Sequence, residues 1–312
     1  MYFPYLRGKQ FELIALRELI TLLSKKRTKI SPILEPVKES TTLTKTIQEF
    51  KKHNINFNLI INPKVGDMQN STSNLLSLLT RELTDYTNYQ VAIILNGKDN
   101  PKGLIAALKK ANLKSGGLTL IHNSIIDNIN DVVEEFNDVI PVKYNVVNFS
   151  KTSRRYYRSF DTKTIVGLDD FFSSQQKNKD YKSIPESDFS EEHLFYKKDG
   201  FVGFSDFLTV GDNYSESGFL PYAIAIHLSY ADGANKIKVR HFVSDSNDDQ
   251  SDIAGKFDEA LTHLVTWCNK ASKKTMAIDT FKELKKTGHF PGLGSVKKLS
   301  IENHIELVLS LI

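Results

Sequence analysis

Short apolar runs recur along this chain at intervals of about thirty residues, and the stretches between them carry an apolar face at helical spacing. The first run is residues 1–6 (MYFPYL). Others follow at 29–36 (KISPILEP), 57–63 (FNLIINP), 90–96 (QVAIILN), 118–122 (LTLIH), 141–149 (PVKYNVVNF) and 162–168 (TKTIVGL). Helical patterns fill 10–24, 41–53, 73–86, 101–111 and 124–137, with a short helix also expected in 150–160. Strands that are apolar on both faces and separated by helices predict a parallel sheet.

The rhythm breaks at 171–199, which is rich in Ser, Gln, Lys and Asp and reads as a polar insertion with little regular structure. It resumes at 200–210 (GFVGFSDFLTV), the expected eighth strand. Two alternating runs, 222–230 and 236–243, are joined by ADGAN and predict a β-hairpin excursion, although its first arm could instead supply the eighth strand. Helices at 252–270, 279–286 and 301–311 close the chain.

Two α/β architectures suit this order, a TIM-barrel-like (βα)8 barrel and an open doubly wound sheet. The open sheet needs a glycine-rich first turn, and the chain has Arg7-Gly8-Lys9-Gln10 there. Eight countable strands with polar tips favour the barrel. It is expected as one domain over 1–312, carrying the 171–199 insertion and the 222–243 hairpin.

A length of 312 residues with 40% hydrophobic content supports one sizeable core. Net charge is only +4, and the Lys pairs fall mostly in the last turns of helices, where cations offset the helix dipole. That weakens a nucleic-acid reading without removing it. The lone Cys268 rules out an internal disulfide and reads as a buried thiol in a reducing compartment. Met1 leads into a strand with no basic leader, and no run reaches about 18 apolar residues, so a cytoplasmic protein outside the membrane is expected.

In such barrels chemistry sits at the C-terminal tips of the strands. Those tips carry Arg7 and Lys9, Glu35, Asn62 and Lys64, Asn96, Lys98 and Asp99, His122 and Asn123, Asn148, Asp169 and Asp170, Ser205 and Asp206. Of these, Arg7, Glu35, Asn62, Asn96, His122 and Asp206 stand one or two places past the last hydrophobic residue, able to face the axis. Glu35, Asp170 and Asp206 form a candidate set for a hard cation such as Mg2+. With Glu35, His122 and Asp206 as catalytic groups and Arg7, Lys9 and Lys64 as anion clamps, the site suits metal-assisted hydrolysis of a phosphodiester. The same residues also read as architecture. Arg7 and Glu35 lie on neighbouring strands and can pair, Asn62-Pro63 and Asn96-Gly97 are turn dipeptides, and His122 can be a hydrogen-bonded wall residue.

Arg154, Arg155, Tyr157 and Arg158 make the densest basic-aromatic patch, suited to nucleic acid or a partner protein as well as to surface ion pairs. No HxH or HExxH spacing supports zinc, and the turn PGLGS at 291–295 lacks the lysine of a P-loop.

The opening MYFPYLRGKQFELIALREL, followed by ISPILEP, resembles a family of uncharacterised bacterial proteins related to the phage beta-protein family. The likeness is dense over 1–37 and collinear afterwards, including the SDF of the eighth strand. It implies a TIM-barrel-like chain encoded in mobile or phage-defence neighbourhoods beside a second small protein. A non-enzymatic role, binding that neighbouring-gene partner or nucleic acid, is therefore the alternative to the hydrolase. The resemblance carries over no catalytic residue; it implies only that Arg7, Lys9 and Glu35 belong to the family signature. The insertion at 171–199 is where the chain departs from such relatives.

Overall fold

The computed structural model describes residues 1–312 apart from Lys98, Asn100, Arg154 and 217–219. Seven strands come first: β1 (Tyr2–Leu6), β2 (Ile33–Leu34), β3 (Phe57–Ile60), β4 (Tyr89–Leu95), β5 (Leu118–His122), β6 (Val142–Asn148) and β7 (Ile165–Asp169). The chain then leaves the sheet, forms β8 (Glu186–Ser190) elsewhere, and returns with β9 (Gly203–Asp206). Strands β1 to β7 and β9 close into one barrel, with β9 parallel to both β7 and β1. The fold is thus the expected (βα)8 barrel, and its eighth strand is GFSD rather than a hairpin arm.

Between the strands run α1 (Gln10–Glu18), α2 (Ile20–Lys25), α3 (Thr41–Lys52), α4 (Thr72–Glu82), α5 (Pro101–Ala111), α6 (Ile129–Asn137) and the single turn α7 (Glu192–Phe195). Ser40 caps α3 by accepting from Leu43 N at 3.1 Å, so its side chain satisfies one of the orphan amides of the first turn. No α-helix forms after β6. Residues 149–164 instead carry two 3-10 turns, Tyr156–Ser159 and Thr162–Thr164, because Ser, Thr and Asp compete for backbone hydrogen bonds there. Strand β2 is shorter than its apolar run because Pro32 has no amide to donate.

Side chains alternate between faces along each strand. Phe3, Tyr5, Ile33, Ile60, Ala92, Ile94, Ile121, Tyr144, Val146, Val166 and Leu168 pack together and fill the barrel. Their neighbours in sequence therefore face the helices. At the closing seam Gly203 is a spatial requirement, since a Cβ there would lie 2.5 Å from the Met1 carbonyl oxygen and 2.5 Å from a Phe3 ring carbon. Gly203→Ala is expected to destabilise the barrel by about 1–3 kcal/mol as overpacking. A thermal midpoint equal to that of the parent would contradict this close approach.

The chain divides into two compact units, Met1–Asp170 with Glu192–Phe207, and Phe171–Glu191 with Leu208–Ile312. In the second unit β10 (Ala225–Ala231) and β11 (Ile237–Val243) form the expected antiparallel hairpin. The polar stretch expected to lack regular structure supplies its third strand, because β8 pairs with β11. Glu186 of β8 accepts from Tyr230 at 2.6 Å and is paired with Lys238 and Arg240, so charge pairing takes the place of an apolar pattern. Helices α8 (Ile253–Lys270), α9 (Met276–Thr287) and α10 (Leu293–Leu311) complete this unit, with Phe257, Leu261, Phe281, Leu299 and the buried thiol of Cys268 in its core.

Candidate functional site at the barrel mouth

The corner after β1 depends on Gly8, whose φ of +63° is a left-handed conformation suited to glycine. A Cβ at Gly8 would come within 2.9 Å of the Glu35 carbonyl oxygen, so the turn presses directly on the end of β2. Arg7 and Glu35 both follow the parity of inward-facing residues, Tyr5 in β1 and Ile33 in β2. Arg7 Nη1 donates to Glu35 Oε2 in a short, buried pair. The Tyr5 hydroxyl donates to the same oxygen at 2.6 Å, and the Lys64 backbone amide donates to Oε1 at 2.7 Å. The guanidinium also lies over the rings of Tyr5 and Phe207, 5.2 and 5.4 Å from their centroids.

The remaining tips follow the same pattern. Lys64 Nζ is paired with Asp99 at 2.9 Å, and Asp99 also accepts from the Asn96 amide at 2.8 Å. The Asn62 carboxamide donates to Ile94 O at 2.8 Å and accepts from Ile94 N at 2.9 Å. It thereby extends the β3–β4 ladder by one rung through a side chain. Asn148 donates to Asn123 Oδ1 at 2.9 Å. Lys9 and Asp170 are half-buried beside these groups in sequence.

Two candidates do not join this ring. His122 pairs in register with Leu95 and Val147, which face away from the interior residues Ile94 and Val146. Its imidazole is buried in the outer layer, 3.2 Å from the Tyr156 hydroxyl and 3.0 Å from Asn145 Oδ1, with the Phe160 ring 4.5 Å away. Burial pushes its pKa down to about 4, with Asn145 opposing the shift, so it is neutral near pH 7. Asp206 pairs in register with Pro4 and accepts from the Tyr2 hydroxyl at 2.8 Å, also on the outer face. Burial, and then the Asp206 charge, hold the Tyr2 phenol well above its usual pKa. The expected set of Glu35, His122 and Asp206 is therefore split across the wall, and Glu35, Asp170 and Asp206 do not converge for Mg2+. Among the described residues no three His, Cys, Asp or Glu side chains are placed to hold a metal ion.

Counting places past the last apolar residue cannot tell inward from outward; strand parity can. By parity Asn123 takes the inward place expected of His122. The Tyr5 hydrogen bond was equally accessible, since Tyr5 and Arg7 are two apart on one strand and must share a face.

Of the basic-aromatic patch, Arg154 lies outside the described residues. Arg155 and Arg158 are exposed on the first 3-10 turn and its flank, and Tyr157 is half-buried. The Tyr157 ring sits 6.1 Å from Phe149 and 5.6 Å from Phe201. No helix among the described residues is long and apolar enough to cross a membrane. No protein-family model and no curated protein matches this chain.

Proposed function

We propose that this (βα)8 chain acts by binding nucleic acid, as a component of the bacterial phage-defence or mobile-element kind that the family resemblance implies, and not by hydrolysis at the barrel mouth. The mouth is a poor match to hydrolysis because its charged groups satisfy one another. Glu35 already accepts from a hydroxyl, a guanidinium and an amide, and Lys64 is matched to Asp99. A general acid or base needs a position from which it can reach substrate, and His122 and Asp206 are buried on the far side of the wall.

The observation that carries the binding reading is the cluster of rings Phe149, Tyr157 and Phe201. Their mutual packing, 5.6 to 6.2 Å between centroids, pins the turn after β6 against the segment that leads into β9. Arg155 and Arg158 on the turn, and Lys197 and Lys198 on that segment, are all exposed. The pinned rings therefore gather cations from separate parts of the chain into one surface region of the barrel unit. Polyanions are recognised by such patches through the release of condensed counterions.

Fluorescence anisotropy with labelled single-stranded and duplex oligonucleotides tests this between about 50 and 200 mM salt. The expected result is binding that weakens steeply with salt. In Arg155→Glu/Arg158→Glu, the log–log slope should flatten by roughly 0.7–0.9 for each phosphate that is no longer neutralised. Binding that ignores salt, or is unchanged in the double variant, would refute the assignment. Co-purification with the adjacent small protein, and no oligonucleotide binding, would transfer the role to a protein partner.

A further inference from the structure

We propose that the second unit binds a small oxyanion, a phosphate or carboxylate carried by a metabolite-sized molecule, in a cavity bordered by Phe172, Tyr181, His227 and Lys297. The cavity holds about 340 Å3, within the range of small-ligand sites. Every residue that lines it belongs to the second unit.

Its distinguishing feature is a chain of three polar side chains across the three-stranded sheet. His227 on β10 and His241 on β11 are direct cross-strand partners, and their Nδ1 atoms are 2.8 Å apart. One imidazole must donate there and the other accept. His241 Nε2 lies 3.1 Å from the Ser187 hydroxyl on β8. Tyr181 packs against both imidazoles, with its ring centroid 4.6 Å from each, and Phe172 lies 5.0 Å from His227. These rings hold the chain in place.

His227 has no hydrogen bond at Nε2 among the described residues, and its ring borders the cavity. An anion selects one proton arrangement for the chain: Ser187 donates to His241, His241 donates to His227, and an N–H at His227 Nε2 faces the cavity. Lys297 on α10 borders the same space, and its charge is one of the causes that keep His227 from protonating, after burial and the His241 neighbour. Two groups able to carry positive charge thus share a desolvated space, where an anion relieves both. The Thr209 hydroxyl, buried without a partner among the described residues, lies in the cavity wall beside Ser300. The remaining wall is apolar, so the ligand is expected to carry an apolar or planar portion.

Isothermal titration calorimetry of the full chain, with inorganic phosphate, citrate and uridine monophosphate as separate probes, provides the test. At least one is expected to bind saturably with one site per chain, and the pattern distinguishes a phosphate preference from a carboxylate one. Lys297→Met keeps the aliphatic stem of a half-buried side chain and should weaken that binding about tenfold or more. Arg155→Glu/Arg158→Glu should leave it unchanged, which separates this cavity from the basic face of the barrel unit. His227→Gln should weaken it as well, but Lys297→Met decides the matter because it leaves the histidine pair intact. No saturable heat with any of the probes, or parental affinity in Lys297→Met, would overturn the proposal.

Discussion

Glu35→Ala is expected to destabilise the barrel unit by about 3–5 kcal/mol, the range found when one partner of a buried ion pair is removed. Three groups lose their acceptor at once: the Arg7 guanidinium, the Tyr5 hydroxyl and the Lys64 amide. Glu35 has no solvent exposure and the Arg7 side chain little, so water cannot take the place of the carboxylate. Urea unfolding of the variant should show a lower midpoint. Arg7→Met combined with Glu35→Met should recover much of the loss, because apolar replacement of both partners avoids a stranded charge. A Glu35→Ala protein within about 1 kcal/mol of the parent would mean that the pair is not a structural element of the mouth. The glutamate would then be available for chemistry, so this measurement also bears on the rejected hydrolase reading.

Stability should also fall steeply below about pH 6.5, the usual histidine pKa in an unfolded chain. Burial holds His122 and His241 at about 4, and His227 is depressed to about 3 by burial, His241 and Lys297. Between those values and about 6.5, the unfolded chain takes up protons that the native chain refuses, so stability rises with pH across that window. The contribution is complete above about pH 6.5 and is lost progressively toward about pH 4, by at most about 1.4 kcal/mol per pH unit for each imidazole. One of the three lies in the barrel unit and two lie in the second unit, so the second unit should lose stability up to twice as steeply. Trp267, the only tryptophan, packs in the second unit 4.9 Å from the Tyr230 ring and reports on that unit alone. Its fluorescence midpoint in urea should drop markedly between about pH 7 and pH 5. His122→Gln should leave that trace unchanged and flatten only the barrel's dependence. A Trp267 midpoint indifferent to pH would show that the histidine pair protonates freely in the folded chain.

The barrel was legible because its strands are apolar on both faces and each ends in a polar residue, a pattern that few other folds impose. The Arg7–Glu35 pair was legible as one of two readings, since the β1 and β2 tips are neighbours in any parallel order. What could not be read was orientation. Nothing in LTLIH says that His122 faces the helices until Ile121 is known to lie inside. Strand β8, ESDFS, has no apolar alternation because its pairing is supported by ions. The histidine pair was hidden by turn geometry. A turn over 231–235 would set His227 opposite Val239, whereas the bond from the Asp232 amide to Lys236 O shifts the register and places it opposite His241.

The closing strand is supplied late, and this has a consequence during synthesis. When residue 170 has emerged from the ribosome, seven strands exist, but β1 and β7 still lack their shared neighbour β9. The roughly 36 residues from Asp170 to Asp206 take about 2–7 s to translate at about 5–20 residues per second. For those seconds the nascent sheet has two open edges, each able to pair with another chain. The polar composition of 171–199 means that the segment emerging in that interval offers few apolar strand partners, so the seam stays unoccupied until Gly203–Asp206 arrives.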